Sequence, residues 1–431
     1  MAGYRYVRLL VLTLVFSAPV VCQAQDTFER DPIQYSATDG DNPVARLQEG
    51  LERGQLQLDH DRRHGYLNDL LEQLHIPVSS QVLVFSKTSF QPARIAPQTP
   101  RALYFNDDVY VGWVRHSDTL ELSVADARLG AGFYTLTRAD DAPHLKRETH
   151  QCLQCHALTQ PTAIPGHIVR SVYPDNQGNP IYRAGTFRTD QTSPFEQRWG
   201  GWYVTGNHGA QRHMGNVVVG DLQDPEDLDR ESGANLQDLS NKFDSSFYLS
   251  GHSDLVALMV LEHQTQVHNL LTAANFETRQ ALHYQAEMNR IFKEPDGYQS
   301  DSTKSRIEGA CRRLVKAMLF CGEAELTDRI AGTSKFADEF AARGPFDSQG
   351  RCLRQFDLET RMFRYPCSYL IYSEAFDGLP PVALAEIYRQ LHDVLTGADT
   401  EPDFDHLTPE TRQTILDILR QTKPDLPAEW N

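Results

Sequence analysis

Positive charge is scarce in this sequence. Its 41 Lys and Arg face 58 Asp and Glu, for a net charge of −17 over 431 residues. Phosphate backbones and anionic lipid need a basic surface, so nucleic acid is excluded as a partner. Long apolar runs are also missing. No segment after the N-terminus approaches the roughly eighteen consecutive apolar residues of a membrane span, so the mature chain is expected to have none. There is no serine-hydrolase elbow, P-loop, zincin helix or dinucleotide fingerprint, which removes the commonest hydrolase and nucleotide chemistries. Internal repeats and low-complexity tracts are absent as well.

The first residues read as a processing signal. Arg5 and Arg8 precede a short apolar run, Leu9 to Phe16, and small residues lead to Ala24. Residues 1–24 are therefore expected to be a signal peptide, placing the mature protein in the periplasm or outside the cell. Cys22 as a lipid-bearing residue is disfavoured because Val21 is bulky where such sites want a small residue.

One motif carries the chemistry. Cys152-Leu153-Gln154-Cys155-His156 is CxxCH. Cysteines three apart sit on one side of a helical turn, where their thiols can add to two haem vinyl groups, and the adjacent His156 can then offer a nitrogen to iron. A zinc site would want a second Cys/His pair, and no other CxxC exists. Together with the export signal, the motif predicts one covalent haem c on Cys152 and Cys155, with iron held by His156.

A sixth iron ligand is expected from the glycine-rich stretch downstream, in the order His213, Met214, His208. Trp202 can wall the ring and Arg198 can pair with a propionate. An open sixth position is the alternative. Further on, Glu262 and His263 are candidates to face the haem as ligand or proton donor; the competing expectation is that they are polar core residues bonded to neighbouring elements. His263 and His268 stand five apart, about 140° around a helix, so they do not easily share a metal.

The pattern implies a mixed α+β fold with parts at 25–145 (N-terminal α/β), 146–222 (β-rich and haem-binding) and 223–431 (mainly helical), the haem lying at their junction. Helices are expected from Pro43 to before Gly54, over Asp61–Leu74, from the Ser253-Asp254 cap towards Lys293, and at Ser302–Leu326, Pro380–Thr396 and Pro409–Gln421. Strands are expected at Gln81–Lys87, Val109–Arg115, Thr119–Ala125, Phe133–Thr137, Ile168–Tyr173, Ile181–Phe187, Gly201–Thr205 and Val217–Gly220, with a hairpin turn at Ser117-Asp118. Cys311, Cys321, Cys352 and Cys367 can form disulfides in an oxidising compartment. The first two cannot pair within one continuous helix, where ten residues span roughly 15 Å; if bridges form, at least one is expected to tie the long helical segment to the 350–370 region. The basic run Lys304, Arg306, Arg312, Arg313, Lys316 reads as a solvated helix face or a dock for an acidic partner.

The chain resembles a family of exported bacterial proteins of this size that bear a single CxxCH motif. The resemblance rests on Ser193-Pro194-Phe195-Glu196-Gln197-Arg198-Trp199-Gly200-Gly201-Trp202-Tyr203, on Glu262-His263-Gln264 and on Phe363-Arg364-Tyr365-Pro366-Cys367-Ser368-Tyr369-Leu370-Ile371-Tyr372. It implies haem and export and supplies no substrate. The expected function is periplasmic electron transfer with a redox partner protein or a small-molecule donor or acceptor. The rival expectation is a haem oxidoreductase acting on a peroxide or a sulfur or nitrogen oxyanion, and a haem-bearing sensor is a third.

Overall fold

The computed structural model describes residues 27–139, 142–158, 163–220 and 228–430. The expected signal segment and Cys22 lie outside them. The chain is mixed α+β, built on a seven-stranded antiparallel sheet. Its strands β1 (Val82–Val84), β2 (Arg101–Phe105), β3 (Val109–Trp113), β4 (Thr119–Asp126), β5 (Gly130–Ala139) and β6 (Ala142–Arg147) lie in sequence order. The Trp202–Tyr203 strand closes the edge beside β1, pairing Val84 with Trp202. The sheet thus takes strands from both sides of the CxxCH motif.

Alternation divides the sheet into two faces. Leu83, Ala102, Tyr104, Val111, Trp113, Leu122 and Tyr134 point one way and form an apolar core. Helices α1 (Pro43–Glu52) and α2 (Leu67–Gln73) supply Val44, Leu47, Leu67 and Leu70 to that core. The other face carries Arg101, Tyr110, Gly112, Glu121, Ser123, Phe133 and Thr135. Across it the register aligns Tyr110 with Ser123 and Ser123 with Phe133.

That second face meets α4 (Leu255–Phe292). Its cap is the expected one: Asp254 accepts from the backbone N–H groups of Val256 and Ala257. The helix ends at Lys293 in the left-handed conformation. Helix α5 (Asp301–Met318) and the Pro381–Thr396 helix pack on α4, and the Pro409–Thr422 helix packs on the Pro381–Thr396 helix, in the largest core. Among the described residues no helix is long and apolar enough to cross a membrane.

Gly130 sits where β5 meets α4. Its φ is +72°, and a Cβ there would stand 2.2 Å from Cγ2 of Thr272. Gly130→Ala should cost about 1–3 kcal/mol through overpacking and backbone strain. Urea unfolding measures the loss, and adding Thr272→Ala should restore part of it.

Several expectations are corrected. Asp61–Leu74 is not one helix. The Asp61 carboxylate accepts from the backbone of Arg63 and His64, and Gly65 is left-handed, so the chain turns before α2 begins. Val217–Gly220 is not a strand. The helix expected over Ser302–Leu326 stops at Met318, and Phe320 follows with φ +59°. The six described cysteines are free thiols. Cys311, Cys352 and Cys367 are buried, and the sulfurs of Cys311 and Cys352 meet the carbonyls of Ala383 and Ala341 rather than each other. Three of the five residues of the basic run are paired within the chain, Arg312 with Asp399 and Glu401, Arg313 with Glu277 and Lys316 with Asp403, while Lys304 and Arg306 are exposed.

Candidate haem site

The motif folds as a single turn, α3 (Leu153–His156), whose His156 N–H returns to the Cys152 carbonyl at 3.0 Å. A hairpin of β7 (Ala157–Leu158) and β8 (Ile164–Pro165) follows, bringing Gly166 beside His156. The His156 Nδ1–H donates to the Gly166 carbonyl at 2.9 Å. That bond fixes the tautomer and leaves Nε2 with its lone pair, the arrangement an iron-ligating imidazole requires. Burial holds His156 below the ordinary histidine range, so the ring is neutral and able to ligate. The thiols differ in setting: Cys155 is exposed, while Cys152 packs against the core formed by Phe28, Tyr35 and Phe133. Burial pushes the Cys152 thiol up to about 11.

The row Tyr110–Ser123–Phe133 on the sheet organises three histidines. The His156 ring lies 4.8 Å from that of Phe133. His167 Nδ1 and Ser123 Oγ share a hydrogen bond of 2.8 Å. His268, on α4, has its Nδ1 2.9 Å from the Tyr110 hydroxyl, and the His167 and His268 rings are 5.6 Å apart. Both are buried, and neither Nε2 has a hydrogen-bond partner in the protein. Burial lowers both, His268 to about 4.

The proton on His268 can be placed. Gln264 Nε2 donates to the Asn106 carbonyl, which fixes its amide, and also to the Tyr110 oxygen. Tyr110 then gives its own proton to His268 Nδ1, so neutral His268 carries N–H at Nε2. His268 is therefore a free, buried donor. His167 has no such constraint, and its Nε2 is available as a lone pair when Nδ1–H points to Ser123.

The ligands expected from the glycine-rich stretch fare differently. His208 donates from Nδ1 to the Gln211 carbonyl, and its Nε2 accepts from the Asn235 N–H, which leaves neither nitrogen for iron. His213 Nδ1 accepts from the Gly215 N–H, so its buried Nε2 bears the proton and has no lone pair to give. Met214 is fully buried, with its sulfur 3.7 Å from the Ser171 hydroxyl. The ring neighbours of His213 are Phe195, Trp199 and His208, none of which contacts the His156 ring.

Arg198 is also committed elsewhere. It forms a buried 3.1 Å ion pair with Glu262 and donates to the carbonyls of Ser193 and Gln191. His263 is stacked on Phe320 at 4.4 Å, with Nδ1 bonded to Gln191 and Nε2 to Ser368. Glu262 and His263 are thus polar residues of the helical core, and it is His268 that α4 turns to the site. Trp202 is buried beside Val84, with its indole N–H on the Arg170 carbonyl. The charges acting on His156 are Arg101, paired with Glu121 at 2.6 Å, and Arg170.

Sequence reasoning missed His167 altogether. The one signal for it was a histidine inside the short apolar run Ile164-Pro165-Gly166-His167-Ile168, eleven residues after His156. Among the described residues no three His, Cys, Asp or Glu side chains are gathered where they could hold a metal ion by themselves. No family model, curated protein or solved structure matches this chain.

Proposed function

We propose that this chain is an exported c-type cytochrome carrying one covalent haem on Cys152 and Cys155, and that it transfers electrons in the periplasm. The observation that supports this best is the CxxCH turn whose His156 is locked by Gly166 with Nε2 free. Haem supplies an iron that cycles between two oxidation states. The chain's own residues hold it and set its surroundings. Cys152 and Cys155 anchor the ring, His156 ligates iron, and His167 is the buried histidine best prepared to give a second nitrogen. Arg101 and Arg170, rather than Arg198, are the cations near His156.

The unpartnered Nε2–H of His268 favours a second reading, a haem oxidoreductase. A buried donor beside the site can hold an oxygen atom of a peroxide or oxyanion or deliver a proton to it. Optical spectra of the haem-loaded protein separate the two. Under electron transfer, the wild type is low-spin in both oxidation states and resists cyanide. His167→Ala then converts it to high-spin, while His208→Ala, His213→Ala and Met214→Ala leave it unchanged. A high-spin wild type that binds cyanide at once, with His268→Ala weakening that binding, would overturn electron transfer in favour of the enzyme.

A further inference from the structure

A cavity of about 760 Å³ opens on the sheet face opposite His156. Its floor is Trp113, Leu120 and Leu136, from the apolar side of β3, β4 and β5. One wall is the turn before α2, which contributes His60, Arg62, Arg63 and His64. The other is Arg115 and His116, facing Phe247. The volume falls in the range of small-molecule sites, about 300–1,000 Å³.

Several buried or half-buried arginines elsewhere meet a carboxylate, as Arg101 does Glu121, Arg198 Glu262, Arg312 Asp399 and Arg354 Asp107, while Arg147, Arg279 and Arg412 bond backbone carbonyls instead. Among the described residues Arg62, Arg63 and Arg115 have no carboxylate within ion-pair distance, although the chain carries 58 acidic residues. Arg63 gives one N–H to the Ser246 carbonyl. Arg115 lies flat on the Phe247 ring, 3.3 Å from its centroid, and its buried Nε has no partner. Carboxylates stand close by: Asp61 and Asp118 also line the cavity, and the Ser246 hydrogen bonds, helped by the charges of Arg115 and Arg63, hold Asp244 below the usual carboxylate range. Asp61 holds the Arg63 and His64 backbone and Asn68, Asp244 accepts from Ser246, and Asp118 is exposed in the β3–β4 turn.

We infer that this cavity binds a small organic oxyanion, its carboxylate, phosphate or sulfonate head on Arg115 and Arg62 and its flat apolar body on Trp113. A guanidinium stacked on an aromatic ring is pre-oriented, so its in-plane N–H groups are presented as a fork to an oxyanion. The cavity is larger than an inorganic anion requires, and its Trp and Leu floor rewards an apolar body. The site stands on the other face of the sheet from His156 and does not depend on haem.

Isothermal titration calorimetry of the full mature protein with benzoate, phenyl phosphate and benzenesulfonate tests this, with inorganic phosphate and benzyl alcohol as comparisons. At least one aromatic anion should bind one-to-one, tighter than inorganic phosphate, while benzyl alcohol should not bind. Arg115→Gln and Arg62→Gln should each weaken it about tenfold, as loss of a charge-assisted hydrogen bond does. Arg389→Gln, on the exposed surface of a C-terminal helix, should change nothing. Arg62 is exposed, so its variant reads binding even if Arg115→Gln fails to fold. No one-to-one binding of any of the three anions at millimolar concentration would overturn the inference. So would affinity unchanged by Arg62→Gln and Arg115→Gln, or inorganic phosphate binding as tightly as phenyl phosphate.

Discussion

A chain with Ala at both 152 and 155 should carry no haem after denaturation, whereas the wild type, matured in a host competent for c-type cytochromes, should carry one. The thioether bonds require both sulfurs, and Cys152 and Cys155 are free thiols on one turn beside His156. The single variants should each retain haem by one bond at reduced yield. His156→Ala should keep the attachment sites but lose the iron's first nitrogen, so any haem it holds should be high-spin. Haem staining after denaturing electrophoresis reads the first effect and the optical spectrum the second. Equal staining of the double variant and the wild type would sink attachment through this motif.

The second large effect lies in the helical core. Arg198→Ala should destabilise the protein by about 3–5 kcal/mol, because it strands the Glu262 carboxylate with no counter-charge. Both side chains are almost wholly buried, and Glu262 Oε1 already lacks a partner. Burial pushes Glu262 up to about 7 from 4.5, outweighing the pull of Arg198. The folded chain therefore binds this proton more tightly than the unfolded one. The stabilising contribution is complete below 4.5 and is lost as pH rises through about 7. The cost of Arg198→Ala should accordingly be larger at alkaline pH, where Glu262 must ionise unpaired, than in mild acid, where it stays neutral. Urea unfolding at both pH values measures this. A loss independent of pH would show that Arg198 acts through packing alone. Replacing the pair together, Arg198→Met with Glu262→Leu, should recover most of the stability.

These two sites mark what the sequence could and could not reveal. The CxxCH turn is legible because its chemistry needs five consecutive residues. The α1 start at Asn42-Pro43 and the α4 start at Asp254 are legible for the same local reason, a side chain capping its own helix. The partner of Arg198 lies 64 residues away on α4, so a cation beside a tryptophan read as a cofactor contact. His167 belongs to the site only because Ser123 and Tyr110 share a sheet row, a register that no local pattern states. Strand β6 is polar and contains Pro143, and it forms because β5 offers it a ladder at the sheet edge. The glycine-rich 205–216 stretch drew attention for its histidines, but backbone groups of its own and of a nearby loop engage both nitrogens of His208 and Nδ1 of His213.

The most direct test of the central claim is the mass and the alkaline pyridine spectrum of the denatured, purified wild-type chain. The account predicts a polypeptide heavier than its mature sequence by one haem, with the reduced spectrum of a haem whose two vinyl groups are saturated as thioethers. A chain of bare polypeptide mass, or haem that washes away on denaturation, would contradict it.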